Sequence, residues 1–339
     1  MSRPEDLAEG KGAFIPAPGA WASTIDNQGK TMLDVINTIV PVFLVILLGY
    51  FLHARELLPT PIVGPLNRLV FYLAIPAMIF REISRVSFAA YFSPFVLAGT
   101  LAPILMVFFV SLFVQRFLRI PPSLAGTFLQ ASQHGNLGYI GLAVAYYLLG
   151  AEGLTAASIL AGFMMLLQNF LSVLGLQMFY QGPERKHEAW FLVKKVIGNP
   201  VVLSALAGIL FSVFEIPVPT IADRGLKIIS DMSLPLALLI IGGSLSFGLI
   251  RSNLKLAVGA GILKLLFLPA LGLLLYGVLR VPAAQFLPGL ILLASPTATV
   301  TYVMASEMRG STELATSAVT MNTLASCLTF IFWLSFFVP

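Results

Sequence analysis

The chain has 339 residues, of which 58% are apolar and only 10% charged, with a mean hydropathy of +0.92. Soluble globular chains carry about a quarter charged residues, so this balance excludes an ordinary soluble enzyme and a disordered chain, and the lone Cys327 excludes a disulfide scaffold. A net charge of +5, from 20 Lys and Arg against 15 acids, would hint at nucleic acid in a soluble chain; here membrane topology accounts for it, and no nucleic-acid partner is expected.

Residues 1–32 read as a flexible tail, in which Arg3, Glu5, Asp6, Glu9 and Lys11 interrupt any apolar run and argue against a cleavable signal peptide. After it, ten stretches have the length of about 20 apolar residues that a bilayer crossing demands. They lie near 33–53, 62–80, 92–114, 124–149, 154–180, 201–214, 221–247, 254–279, 286–308 and 315–338. None alternates polar and apolar residues as barrel strands do. The predicted fold is an all-α membrane protein of ten transmembrane helices in the lipid bilayer. Arg55, Arg116, Arg119, Arg185, Lys186, Lys194, Lys195, Arg251, Lys255 and Arg309 fall in alternate loops, against Arg81, Arg85, Arg224 and Arg280 in the others. Basic residues gather on the cytoplasmic side, so both termini are expected outside the cell (inner) membrane.

The chain repeats itself. A shift of 159 residues lays Pro41-Val42 on Pro200-Val201, Gly49 on Gly208, Arg68 on Lys227 and Pro76 on Pro235. A shift of 161 lays Phe117-Leu118-Arg119-Ile120-Pro121 on Val278-Leu279-Arg280-Val281-Pro282. These matches define two repeats of five helices, 33–180 and 200–339, joined by a cytoplasmic linker at 181–199. An odd number of spans per repeat makes the second repeat inverted, an arrangement common in secondary transporters.

Span four holds Gln130, Ser132, Gln133, His134, Gly135, Asn136, Gly138, Tyr139 and Gly141, too many glycines and polar groups for a continuous lipid-facing helix. Span nine holds Ser295-Pro296-Thr297-Ala298-Thr299, where Pro296 removes a backbone donor. The 161-residue shift superposes His134-Gly135-Asn136 on Ser295-Pro296-Thr297. Two interrupted helices in matching positions are the strongest sequence pointer to a transporter binding site. The candidate substrate-binding residues are therefore Gln133, His134, Gly135, Asn136, Tyr139, Ser295, Pro296 and Thr297, with Asn37 and Asn322 as contributors from spans one and ten and Gln168-Asn169 from span five. Half-helix amino termini favour an anion, which makes a small organic anion the expected substrate; the competing reading is that small residues only allow close packing.

Asp231 is the clearest acid within a span. It is either the group that couples H+ or Na+ to transport or one half of a structural ion pair with Arg68, Lys227 or Lys264. Lys264 in span eight is expected to pair internally or snorkel. Three scattered His and one Cys make no metal cluster, and neither HExxH nor GxSxG occurs, so no cofactor, metal or enzymatic activity is expected.

Several motifs resemble one family: 66–77 (LNRLVFYLAIPA), Asn136-Leu137-Gly138-Tyr139-Ile140-Gly141, Asn199-Pro200, 233–238 (SLPLAL) and Ala294-Ser295-Pro296-Thr297-Ala298. Taken in order, they resemble the auxin efflux carriers, which share a bile-acid/sodium-symporter-like inverted-repeat fold. The resemblance implies secondary transport of small organic anions such as malonate or auxin-like weak acids. It also implies spans four and nine crossing at Asn136 and Pro296, a scaffold of spans one, two, six and seven that forms a homodimer, and elevator-type alternating access. Relatives often carry Pro shortly after the span-four Gly-x-x-Gly; Leu142 stands here, so the crossover relies on glycines. The alternatives are a sodium-coupled organic-anion symporter of the bile-acid type, and a uniporter or channel.

Overall fold

The structure, a computed structural model, describes residues 31–180, 198–249 and 253–337. Most of the expected tail and linker, residues 1–30 and 181–197, lie outside these.

Among the described residues the chain is helical throughout. Its main helices are α1 (Met32–Ala54), α2 (Thr60–Ser84), α3 (Pro94–Phe117), α4 (Pro122–Gln133), α5 (Leu137–Met178), α6 (Pro200–Val213), α7 (Thr220–Ser244), α8 (Leu254–Val278), α9 (Ala283–Ala294), α10 (Val300–Glu307) and α11 (Thr312–Ser335), with single turns at Phe88–Tyr91 and Phe247–Leu249. Seven of them, α1, α2, α3, α5, α7, α8 and α11, are long and apolar enough to cross a membrane, and α6 and α9 are shorter apolar helices. The difference from ten expected spans has a local cause in each case. Expected span four is cut at residues 134–136, and its second part meets expected span five at a kink at Gly150, so that the two are counted together as α5. Expected span nine is likewise cut, into α9 and α10, and α6 has only 14 residues.

At 42 residues, α5 would measure about 63 Å if straight, roughly twice the thickness of a hydrocarbon core. It is not straight. Gly150 has φ +73° and ψ −163°, a backbone region open only to glycine, and it divides α5 into two arms. A Cβ there would touch nothing, so the glycine serves backbone conformation and not packing.

Five other helix ends use a positive φ without glycine: Glu56, Arg119, Glu215, Arg280 and Arg309. Each is followed by the same closure, in which the next residue's N–H returns to a carbonyl five residues back: Leu57 to Leu52, Ile120 to Gln115, Ile216 to Phe211, Val281 to Tyr276 and Gly310 to Ala305, at 2.7–3.0 Å. This is the Schellman closure, which satisfies carbonyls that the helix leaves without partners. All five side chains are exposed charged groups, suited to a membrane surface. With Gly150, the six positive-φ residues form three pairs, Glu56 with Glu215, Arg119 with Arg280 and Gly150 with Arg309, spaced by 159, 161 and 159 residues.

Packing falls into two groups. In the first, α1 lies along α7 and α2 along α6, and the closest approach is at Gly49 and Gly242, where any side chain would run into the backbone of Leu239 and Ile46 respectively. Buried Arg81 on α2 reaches Asp223 on α7 with Nε 2.9 Å from Oδ1, and Arg85 faces the same carboxylate at 3.6 Å. In the second group, α3, α8 and α11 enclose α4, α9 and the cuts at their ends, and α5 touches both groups. Large apolar side chains such as Leu44, Leu47 and Phe51 on α1 are left exposed, as a lipid-facing surface requires.

Candidate functional site

Two helices end abruptly inside the second group. α4 stops at Gln133 and the chain is extended at His134, with φ −83° and ψ 102°. α9 stops at Ala294 and Ser295 is extended, with φ −59° and ψ 141°. The extended segments run antiparallel and bridge Gly135 to Thr297: Asn136 N–H donates to the Pro296 carbonyl at 2.7 Å, and Ala298 N–H donates to the His134 carbonyl at 2.9 Å. Backbone groups freed by breaking a helix in an apolar interior must find partners, and here each break supplies the other's. Pro296 has no N–H to satisfy, which is why proline fits this position.

Gly135 is required by close approach. A Cβ on it would lie 2.5 Å from Ser295 Oγ and 3.1 Å from Lys264 Nζ. Side chains from neighbouring helices complete the arrangement. From α5, Gln168 Oε1 accepts from Gly135 N–H at 3.2 Å, and Ser172 Oγ meets His134 Nδ1 at 2.8 Å and Gln133 Nε2 at 3.0 Å. From α11, Asn322 Nδ2 donates to Thr297 Oγ1 at 2.7 Å, and Thr297 Oγ1 donates to the Ala131 carbonyl at 2.9 Å. Ser295 Oγ turns back to the Leu292 carbonyl at 2.6 Å. Tyr139, in the π turn that opens α5, donates to Asn67 Oδ1 of α2 at 2.6 Å.

The structure thus brings together Gln133, His134, Gly135, Asn136, Ser295, Pro296, Thr297 and Asn322, all buried, with Tyr139 at the edge. Asn37 is exposed on α1 and is not among them. Asp231 is also elsewhere: it ends the first half of α7, its side chain is 61% exposed, and it pairs with Lys227 at 2.7 Å. Of the partners weighed for it, Lys227 is the one it has. Two residues join the site that sequence reasoning left out of it. Ser172 carries no signal in an apolar helix, but Lys264, a lone charge within an apolar run, does. Its Nζ lies fully buried and donates to the Leu293 carbonyl at 2.6 Å. Among the described residues, no group of three or more His, Cys, Asp or Glu is placed to hold a metal ion.

Several polar atoms around the breaks are buried without a partner: Gln133 Oε1, Asn136 Nδ2, Gln168 Nε2 and Asn322 Oδ1. Such atoms cost free energy unless something meets them. The crossover itself is tightly packed. A cavity of about 530 Å³ lies elsewhere, where the end of α2 meets the turn between α6 and α7, lined by Arg85, Ser212, Glu215 and Asp223 among others.

Apolar helices, with two helix breaks bridged to each other, are the arrangement expected of a membrane transporter. The chain belongs to the membrane transport protein family, whose family model matches residues 34–334. This bears out the resemblance to the auxin efflux carriers, and the protein is a transporter and not an enzyme. Among curated relatives, the chain is 26% identical over 316 residues to a Rhizobium meliloti protein named "Putative malonate transporter", covering 88% of this chain and 94% of the relative. It is 26% identical over 315 residues to an uncharacterized transporter of Methanothermobacter thermautotrophicus, covering 88% and 96%. An uncharacterized transporter of Methanocaldococcus jannaschii is 24% identical over 314 residues, covering 88% and 97%.

Proposed function

We propose that this protein is a secondary active transporter that carries small organic anions, carboxylates such as malonate or auxin-like weak acids, across the cell (inner) membrane by alternating access. The observation that carries the reading is the bridged pair of helix breaks at His134–Asn136 and Ser295–Thr299, flanked by buried amide groups with unused hydrogen-bonding capacity. The helices that resume after the breaks start at Leu137 and Val300, and a helix amino terminus favours negative charge. The name of the R. meliloti relative supports the same substrate class.

The architecture we propose is a pair of inverted five-helix repeats, 33–180 and 200–339, joined by the linker 181–199, with both termini outside. The spacing of the positive-φ turns at 159, 161 and 159 residues supports it. In this arrangement α1, α2, α6 and α7 form the scaffold and the homodimer surface, and the helices around the crossover move against them as an elevator. The exposed Lys227–Asp231 pair favours a structural role for Asp231, and coupling to H+ or Na+ is assigned to no residue by this reading.

Uptake of radiolabelled malonate and of indole-acetate into proteoliposomes, with and without an imposed pH or Na+ gradient, tests the proposal. Saturable, gradient-driven uptake that is abolished by Asn136→Ala and by Thr297→Ala, in variants that still fold, is the expected result. Unchanged uptake in both variants would move the site away from the crossover, and non-saturating flux would make the protein a channel.

A further inference from the structure

The crossover contains a fully buried lysine amine with no carboxylate in ion-pair contact with it among the described residues. Lys264 stands in a π turn of α8, Ile262–Phe267, that faces α4, α9 and α11. Its Nζ donates to the Leu293 carbonyl in the last turn of α9, a neutral group that the helix itself leaves without a partner. On its other side is the first break, since a Cβ on Gly135 would lie 3.1 Å from Nζ. Among the described residues, no Asp or Glu is in ion-pair contact with Lys264, and the ion pairs that join described residues involve Glu82, Asp223 and Asp231, none of them at the crossover. A lysine buried in this way is costly to charge unless a counter-ion meets it, and ionisable groups kept inside a membrane protein mark substrate or ion pathways.

Unused donors on the same break point the same way. Asn136 Nδ2 and Gln168 Nε2 are each at least nine-tenths buried, and neither has an acceptor. A lysine amine and two unpartnered amide groups therefore lie around the same break, and the chain provides them no anion. The unused amide oxygens of Gln133 and Asn322 suit a hydroxyl or protonated carboxyl on the same ligand.

We propose that Lys264 is the counter-ion of the transported carboxylate: on loading, a substrate carboxylate takes over from the Leu293 carbonyl as the partner of Nζ, and Asn136 and Gln168 donate to the same group. The inference rests on the crossover being the substrate site, and it adds the residue that makes that site select a deprotonated acid over a neutral analogue of the same shape. The Leu293 carbonyl holds the ammonium in place between cycles.

The test is binding of radiolabelled malonate to the purified protein in detergent micelles, with neutral malonamide as competitor, for the wild type and for Lys264→Gln, Lys264→Arg and Asn136→Ala. Removing one member of a buried charged pair corresponds to a loss of at least about 100-fold, and that loss is expected in Lys264→Gln, with Lys264→Arg retaining more affinity. Malonamide is expected not to compete at about 100-fold excess over malonate. Lys264→Gln binding malonate within about threefold of wild type would overturn the proposal. So would competition by malonamide equal to that of malonate, a measurement on the wild type that decides the matter if Lys264→Gln fails to fold. Loss in Asn136→Ala with retention in Lys264→Gln would remove only the role of Lys264; retention in both would remove the crossover as the site. If the wild type does not bind malonate, the same comparison runs over other small carboxylates and their amides, and binding of none overturns both readings.

Discussion

The Tyr139 hydroxyl donates to Asn67 Oδ1 at 2.6 Å, so the first turn of α5, immediately beyond the break, is fastened to α2 in the other packing group. A single hydrogen bond of this kind contributes about 1 kcal/mol, or roughly fivefold in an equilibrium between two arrangements. If α5 moves relative to α2 during transport, the bond has to break in each cycle. Tyr139→Phe is then expected to raise the maximal uptake rate by up to about fivefold while leaving malonate affinity in micelles within about twofold of wild type. Initial-rate uptake and equilibrium binding, measured side by side, check this. A fall in affinity at unchanged rate would instead put the Tyr139 hydroxyl on the substrate.

Asn322 reaches the site through Thr297. Asn322 Nδ2 donates to Thr297 Oγ1, which donates to the Ala131 carbonyl in the last turn of α4. Asn322→Ala and Thr297→Ala interrupt one chain of hydrogen bonds, so each is expected to weaken malonate binding by about tenfold or more. The double variant should be little worse than either single one, because coupled residues are not additive. Additive losses in a double-mutant cycle would show that Asn322 acts on the ligand independently.

The Lys227–Asp231 pair is more than half exposed on both sides, and exposed pairs of this spacing contribute only about 0.3–0.5 kcal/mol. Asp231→Asn is accordingly expected to leave the melting midpoint and the gradient dependence of uptake unchanged. Loss of gradient dependence with intact binding would restore Asp231 as the coupling acid.

Gly150 and Gly225 offer a paired test of backbone against packing. Neither has an atom within 4 Å of an added Cβ, but Gly150 has φ +73° while Gly225 lies inside the first half of α7. Gly150→Ala is expected to cost about 1–3 kcal/mol, the strain of placing a side chain in a glycine-only region. Gly225→Ala is expected to stabilise by up to about 1 kcal/mol, since alanine favours a helix and the space is free. Thermal unfolding of both in one detergent measures the contrast.

The positions of the breaks were legible because glycine, proline and amide residues are conspicuous in apolar stretches: Gly135, Gly138, Asn136 and Pro296 announce them. Cooperation between the breaks was legible only as a register, through the 161-residue shift, and not as the bridge that joins Asn136 to Pro296. Helix lengths were harder to read. Hydropathy is blind to φ, so the division between the fourth and fifth expected spans was legible as a gap near Gly150 but not as the single positive-φ residue that makes it. Lys264 is the instructive case among the site residues. A lysine's long side chain can reach outward or inward, and the sequence alone does not say which. The π turn at Ile262–Phe267 adds a residue to one helical turn and rotates the rest of α8 about its axis, a backbone event without a residue signature. Asp231 drew attention for its charge, but i,i+4 spacing to Lys227 was already the plainer account of it.

Lys264 also bears on symmetry. Between the first two matched turns the chain counts 63 residues in its first half, Glu56 to Arg119, and 65 in its second, Glu215 to Arg280. Each stretch holds one π turn, Val70–Ala74 in α2 and Ile262–Phe267 in α8, so the π turns do not account for the surplus of two residues. At the 161-residue spacing, Lys264 corresponds to Pro103, which bears no charge and no N–H. In the proposed two-repeat architecture, the halves would therefore offer a ligand one wall with an amine and one without. A cargo with a charged head and a neutral tail would enter such a chamber in a single orientation, and the same end would lead on every crossing.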